Sequence, residues 1–305
     1  MVRWVVALVL ALVIALRAIP VAADNDDDIQ ALTEKIAAGK FAGLALAQAY
    51  MELVARKLIG KDAPGALAAY DKAVATFPKY AEAYVWRSFG RIEAGDLPGA
   101  LDDLSHALTL GVDDRPGDIY FRAEVRMKMK DYREAIADYD QAIVLDPDFG
   151  DAYIERGQAR LAAGDEAGAL ADLDHAIAGG RKLYHYKNGY RLIPYYEPIF
   201  TKLGFAGWAD DVPPKAYLAR GKIRLEKGDY DRARPDLEYA VNNSFDDAAE
   251  AILYFGMELL ATEQCRDGER RLDKAAEKMG IERGTLVQAH RDFIAKTPCA
   301  GDLLK

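Results

Sequence analysis

A chain of 305 residues with 51% apolar and 29% charged residues has the composition of a folded protein, not of a disordered one. Its formal net charge of −9, with no run of basic residues, excludes the basic stripe that a nucleic-acid surface needs. The length allows two or three compact domains, unless the chain grows by stacking repeats instead of enlarging one core.

Residues 1–23 read as a signal peptide. Met1–Arg3 gives a basic start, Trp4–Leu16 is an unbroken apolar run, and Val21-Ala22-Ala23 offers small residues for cleavage. As a helix the apolar run spans about 20 Å, short of the roughly 30 Å of a bilayer core. Arg17 interrupts any extension, and no Cys near residue 23 supports a lipid anchor. The expectation is a periplasmic or secreted protein. The alternative is an uncleaved anchor in the inner membrane, facing the periplasm. Residues 24–46 follow as an acidic leader and an N-terminal capping helix near 29–38. Asp24, Asp26, Asp27 and Asp28 read as solvated charge, not as a cation site.

From Ala47 a pattern recurs at close to 34 residues. The fourth copy, 148–180, shows it best. Tyr153 and Gly157 mark a first helix, Gly164-Asp165 a turn, and Ala169, Leu173 and Ala176 a second helix. Upstream stand Tyr50, Ala66, Tyr70 and Ala73. Then come Tyr84, Ser88, Gly95-Asp96, Ala100, Leu104 and Ala107, followed by Ile119, Ala123, Asp131, Ala135, Tyr139 and Ala142. A fifth copy has Tyr217, Gly221, Gly228-Asp229, Ala233, Leu237 and Ala240, and a weaker sixth has Gly256, Gly268, Leu272 and Ala275. The small residues let two helices approach closely, where larger ones would overpack the contact. Gly-Asp ends one helix and caps the next. A single such hairpin cannot bury its apolar face, so several must stack.

This pattern resembles the tetratricopeptide repeat, over 47–180 (repeats one to four) and 214–281 (repeats five and six), with a last capping helix and tail at 282–305. The resemblance implies an all-α, right-handed solenoid of stacked helical hairpins whose concave face holds a protein or peptide. In that family the concave face is lined by fixed positions of each first helix. Here those positions and their neighbours offer Val85, Trp86, Phe89, Tyr120, Phe121, Glu124, Met127 and Gln158 as candidate partner-binding residues. Packing between repeats is the competing reading, expected for about half of them. The carboxylate clamp of some family members is not implied, because Met51, Val85, Tyr120, Ile154 and Leu218 stand where its Lys belongs.

One departure from the family is regular. Its apolar seventh position is Arg87, Arg122, Arg156 and Arg220 in repeats two to five. Sixteen residues later stand Asp103, Asp138, Asp172 and Asp236. Repeat one has Leu53 and Ala69 at these places, and repeat six has Phe255 and Arg271. Both partners are present together or absent together, which predicts four ion pairs bridging the two helices of a repeat. The alternative, a row of arginines for an acidic partner, loses weight because paired arginines have their donors occupied.

Between repeats four and five the period breaks at 181–213. Tyr184, His185, Tyr186, Tyr190, Tyr195, Tyr196 and Trp208 make this insert rich in residues of recognition surfaces. Alternating aromatics around Lys187-Asn188-Gly189 signal a β-hairpin. The insert reads either as a plug over a helix face or as a partner contact. Cys265 and Cys299 read as a disulfide in an exported protein, with two buried free thiols as the alternative.

No nucleophile elbow, phosphate loop or metal-ligand spacing appears, and His106 and His175 read as exposed helix residues. The expected function is a non-catalytic envelope adaptor without cofactor, metal or nucleic-acid partner. The alternative is an accessory subunit that binds a small ligand or glycan through the insert.

Overall fold

The computed structural model describes residues 25–59, 62–111, 116–179, 214–243 and 248–304. Among them the regular elements are all helices. The insert lies outside the described residues, and with it the hairpin expected there. The chain divides into two compact units, one ending at Pro147 and one starting at Asp148.

The first unit begins with α1 (Asn25–Ala37), which packs on α2 (Gly43–Ile59). Arg56 of α2 bonds to Asp28 at 2.5 Å and to Glu52 at 3.1 Å, tying the capping helix to the first hairpin. Three hairpins follow: α2 with α3 (Ala63–Thr76), α4 (Ala81–Glu93) with α5 (Leu97–Thr109), and α6 (Pro116–Lys128) with α7 (Tyr132–Leu145). Each second helix also packs on the first helix of the next hairpin. The unit is therefore a stack in which each helix from α2 to α6 packs on the helix before it and the helix after it.

The second unit repeats this with α8 (Gly150–Ala162) and α9 (Glu166–Gly179), then α10 (Pro214–Glu226) and α11 (Tyr230–Asn243), then α12 (Ala248–Ala261) and α13 (Cys265–Met279). Three short helices close it: α14 (Arg283–Ala289), α15 (Arg291–Ile294) and α16 (Ala300–Leu303). The single capping helix expected within 282–305 is thus broken, α14 and α15 being separate. They break at His290, whose φ of −111° and ψ of 21° leave the helical region.

The repeat marks sit where close approach demands small side chains. A Cβ on Gly221 would lie 2.8 Å from Leu237 Cδ2, and one on Gly157 would lie 3.3 Å from the Ala169 carbonyl. Ala100, Ala107, Ala135, Ala142, Ala233 and Ala240 are fully buried.

The turns use two chemistries. The Asp62, Asp96 and Asp165 carboxylates each accept a hydrogen bond from the backbone N–H of a Gly three residues on, at 2.9–3.0 Å. A Cβ on that Gly would lie 2.0–2.1 Å from the carboxylate. Where Glu134 replaces Gly, Asp131 makes no side-chain cap.

Candidate functional site

Four hairpins share one electrostatic device. In α4–α5, Arg87 donates through Nε and Nη2 to both oxygens of Asp103, at 2.9 and 2.5 Å. Arg122 grips Asp138, Arg156 grips Asp172 and Arg220 grips Asp236 in the same way, at 2.6–2.9 Å. The four carboxylates are buried, each residue 2–3% exposed. A buried carboxylate is costly unless its oxygens are satisfied, and the planar guanidinium fork satisfies both at once.

A second arginine, four residues further along the first helix, completes each site. Arg91, Arg126, Arg160 and Arg224 place Nη1 at 2.5–3.0 Å from the same four carboxylates. From there Arg91 Nη1 also reaches the Gly99 carbonyl, at 2.8 Å, on the first turn of the second helix. The unit is an Arg–Asp–Arg clasp, not a simple pair. The first arginine also reaches backwards. Arg87 bonds to Asp71 of α3 at 2.8 Å, and Arg220 bonds to Asp174 of α9 at 2.6 Å. Burial opposes the charge on Arg87, but its bonds to Asp103 and Asp71 outweigh this and hold the guanidinium above its ordinary pKa.

Three clasps carry an aromatic brace. Tyr84, Tyr153 and Tyr217 lie under the guanidinium carbons of Arg87, Arg156 and Arg220, at 5.2–5.5 Å from ring centroid. The other partner of each tyrosine is His106, His175 or Tyr239, at 4.0–4.5 Å between centroids. Thus His106 and His175 are exposed at one edge but packed on a ring at the other. They and Tyr239 stand three residues after the clasp Asp, one turn along the same helix face.

Val85, Trp86, Phe89, Tyr120 and Phe121 are buried, none more than 7% exposed. Phe89 meets Phe121 edge to face at 4.9 Å, Trp86 meets Phe89 at 5.7 Å, and Tyr120 meets Tyr139 at 5.7 Å. These ring contacts hold part of their large apolar faces out of water. Glu124, Met127 and Gln158 are half-buried, and Glu124 accepts a hydrogen bond from the Tyr139 hydroxyl.

In the second unit polar contacts link the first helices instead. Lys215 of α10 bonds to Glu155 of α8 at 2.5 Å, and Lys222 bonds to Glu250 of α12 at 2.6 Å. Lys222 Nζ also stands 4.6 Å from the Tyr254 ring centroid, and Tyr254 meets His290 at 6.1 Å. Burial and the charge of Lys222 together press the His290 pKa below its ordinary value. No group of three or more metal-ligating side chains occurs among the described residues. An open cavity of about 270 Å³ lies in the C-terminal cap between Arg283, Val287, Arg291 and Leu303.

Cys265 and Cys299 are joined by a disulfide, S–S 2.02 Å. Tyr184, His185, Tyr186, Tyr190, Tyr195, Tyr196 and Trp208 lie outside the described residues.

Two tetratricopeptide-repeat family models match, at 123–164 and 214–247. Tetratricopeptide repeat protein 36 of Mus musculus is 49% identical over 53 residues. That match takes 17% of this chain and 28% of the mouse protein, so the chain spans little more than a quarter of that relative's length. Among solved structures, PilF of Pseudomonas aeruginosa superposes with a TM-score of 0.60 at 14% identity, covering 81% of this chain and 96% of PilF. A chain of the APC/C hetero-tetramer Cut9–Hcn1 superposes with a TM-score of 0.59 at 14% identity, covering 82% of this chain and 42% of that one. These structural likenesses show the fold. Together with the matched segments, they show a chain that carries tetratricopeptide repeats.

Proposed function

We propose that this chain is a non-catalytic adaptor of the bacterial cell envelope, exported by residues 1–23, that holds another protein or peptide on its stacked helices. Tetratricopeptide repeats generally mediate protein–protein interaction. The observation that carries the reading is the clasp. Each of four hairpins is fixed by two guanidinium groups on one buried carboxylate. Helices fixed before a partner arrives lose little conformational entropy on binding, which favours association without any chemical step. The polar row of Lys215, Lys222, Glu250 and Tyr254 and the half-buried Glu124, Met127 and Gln158 are the side chains a partner meets.

The test is cross-linking capture from the cell envelope with residues 24–305 as bait. Three baits are compared: the parent, Lys215→Ala/Lys222→Ala, and Tyr184→Ala/Tyr186→Ala/Tyr190→Ala. Proteins held by the parent and lost by the lysine variant support recognition on the first helices. Loss by the tyrosine variant alone moves recognition to the insert. Capture of no protein by the parent bait, together with recovery of the full chain 1–305 from the cytoplasm, contradicts the reading.

A further inference from the structure

The C-terminal cap is attached to the last hairpin by very little. Its helices α14, α15 and α16 have 7, 4 and 4 residues. Helices so short do not persist in water without tertiary support. That support is one apolar layer: Leu286, Val287, Ile294 and Leu303 share a core with Leu260 and Leu272 of the last hairpin. Gly280, with φ of 66°, ends α13 and turns the chain into the cap. The one charged link across that turn, Arg283 to Asp273, is 3.3 Å long with both side chains more than a third exposed, so it adds little. The covalent link is different in kind. The disulfide joins Cys265, the first residue of α13, to Cys299, the residue before α16. It therefore fastens the far end of the cap to the near end of the hairpin, while Gly280 joins the other two ends.

We propose that this disulfide is a redox latch, and that its reduction releases the cap from α12–α13 while the hairpins stay folded. The step is ordinary thiol–disulfide exchange with a dithiol reductant. One thiolate of the reductant attacks the half-buried Cys265 sulfur, and the S–S bond breaks with its electron pair going to Cys299. The reductant's second thiol then displaces Cys265. The protein gains two electrons and two protons, and the reductant becomes a disulfide. Cys299 is 4% exposed, so its thiolate leaves into an apolar setting that disfavours charge. Exchange is slow while the cap is packed, and quickens when the cap lifts. Once both sulfurs are thiols, a three-helix segment hinged at Gly280 depends on its apolar layer, the Tyr254–His290 ring contact and the weak Arg283–Asp273 pair. Its departure uncovers the face of the last hairpin on which Leu286, Val287, Ile294 and Leu303 pack.

The experiment is limited trypsin digestion of the full chain, oxidised and after treatment with dithiothreitol, with fragments read by mass. The expected result is that reduction speeds cleavage after Arg283, Arg291 and Lys296 by about tenfold or more, as for a segment whose local opening no longer requires global unfolding. Cleavage within α4–α11 stays at its oxidised rate. The Cys265→Ser/Cys299→Ser variant should show the fast cap cleavage without reductant and no further response to it. Equal cleavage of the cap in both redox states overturns the proposal, since the apolar layer then suffices. Faster cleavage throughout the chain also overturns it, since the disulfide then supports the whole fold.

Discussion

The inner hairpins and the two end hairpins are held in different ways. In α4–α5, α6–α7, α8–α9 and α10–α11 a buried carboxylate sits between two arginines. At the same places α2–α3 has Leu53 and Ala69, both buried, and the contact is apolar. In α12–α13 the places hold Phe255 and Arg271, and the Arg271 guanidinium rests 4.3 Å from the ring centroid. Each end hairpin takes its extra fastening from a cap instead: the Arg56–Asp28 ion pair at one end, the Cys265–Cys299 disulfide at the other. Within their units, α4–α5 and α10–α11 have a packed hairpin on each face that shields the buried ion cluster. The first and last described hairpins pack on a cap on one side and are stapled to it.

Removing the acceptor should separate the two kinds of hairpin most sharply. Asp236→Ala leaves Arg220 and Arg224 facing each other without their shared carboxylate. It should cost about 2–3 kcal/mol, below the 3–5 typical of a fully buried pair because both arginines touch solvent. Arg271→Ala in the end hairpin removes one ring contact and should cost under about 1 kcal/mol. Urea midpoints of the two variants check the contrast. Close approach should matter next. Gly221→Ala brings a methyl to 2.8 Å from Leu237 and should cost about 1–2 kcal/mol by overpacking, whereas the Ala already at 123 is accommodated. Caps come third. Asp96→Ala loses a real cap and should cost about 1 kcal/mol, while Asp131→Ala, which has no side-chain cap to lose, should fall well below it in the same denaturation series.

The smallest effect is one of pH. Glu258 of α12 is fully buried, with Arg234 on one oxygen, and its Oε2 has no hydrogen-bond partner among the described residues. Burial pushes its carboxyl above the ordinary glutamate range, against the pull of Arg234. A folded-state value above the unfolded one means that folding favours the protonated form. Its contribution is therefore present below the ordinary glutamate pKa and lost as pH rises through the raised value. Glu258→Gln removes that loss. Its stability relative to the parent should grow as pH rises through this window, read from urea midpoints between pH 4 and 7. A constant difference contradicts the shift.

Much of the fold was legible because the repeat writes itself on small residues. Gly157, Gly221 and the alanines of each second helix mark close helix contacts whose period needs no tertiary information. The first arginine and the aspartate of each clasp could be paired because they appear and vanish together. The second arginine was missed. Arg91, Arg126, Arg160 and Arg224 look like the solvated side of an amphipathic helix, yet they recur four residues after the first arginine in all four hairpins. That spacing was the available signal. The buried aromatics were harder. Position along a helix names a face, but whether Trp86 or Tyr120 on that face meets water depends on what the neighbouring hairpin places opposite. The break at His290 carries no Gly or Pro to announce it.

The central claim is that the arginines hold the hairpins and do not themselves recognise a partner. Its most direct test is the Arg156→Ala/Arg160→Ala variant, measured by urea unfolding and by capture of the parent's partners under folding conditions. The account predicts a loss of about 3–5 kcal/mol, because Asp172 is left buried and uncompensated, with capture intact wherever the variant remains folded. Unchanged stability together with lost capture would make the arginines a recognition surface and contradict it.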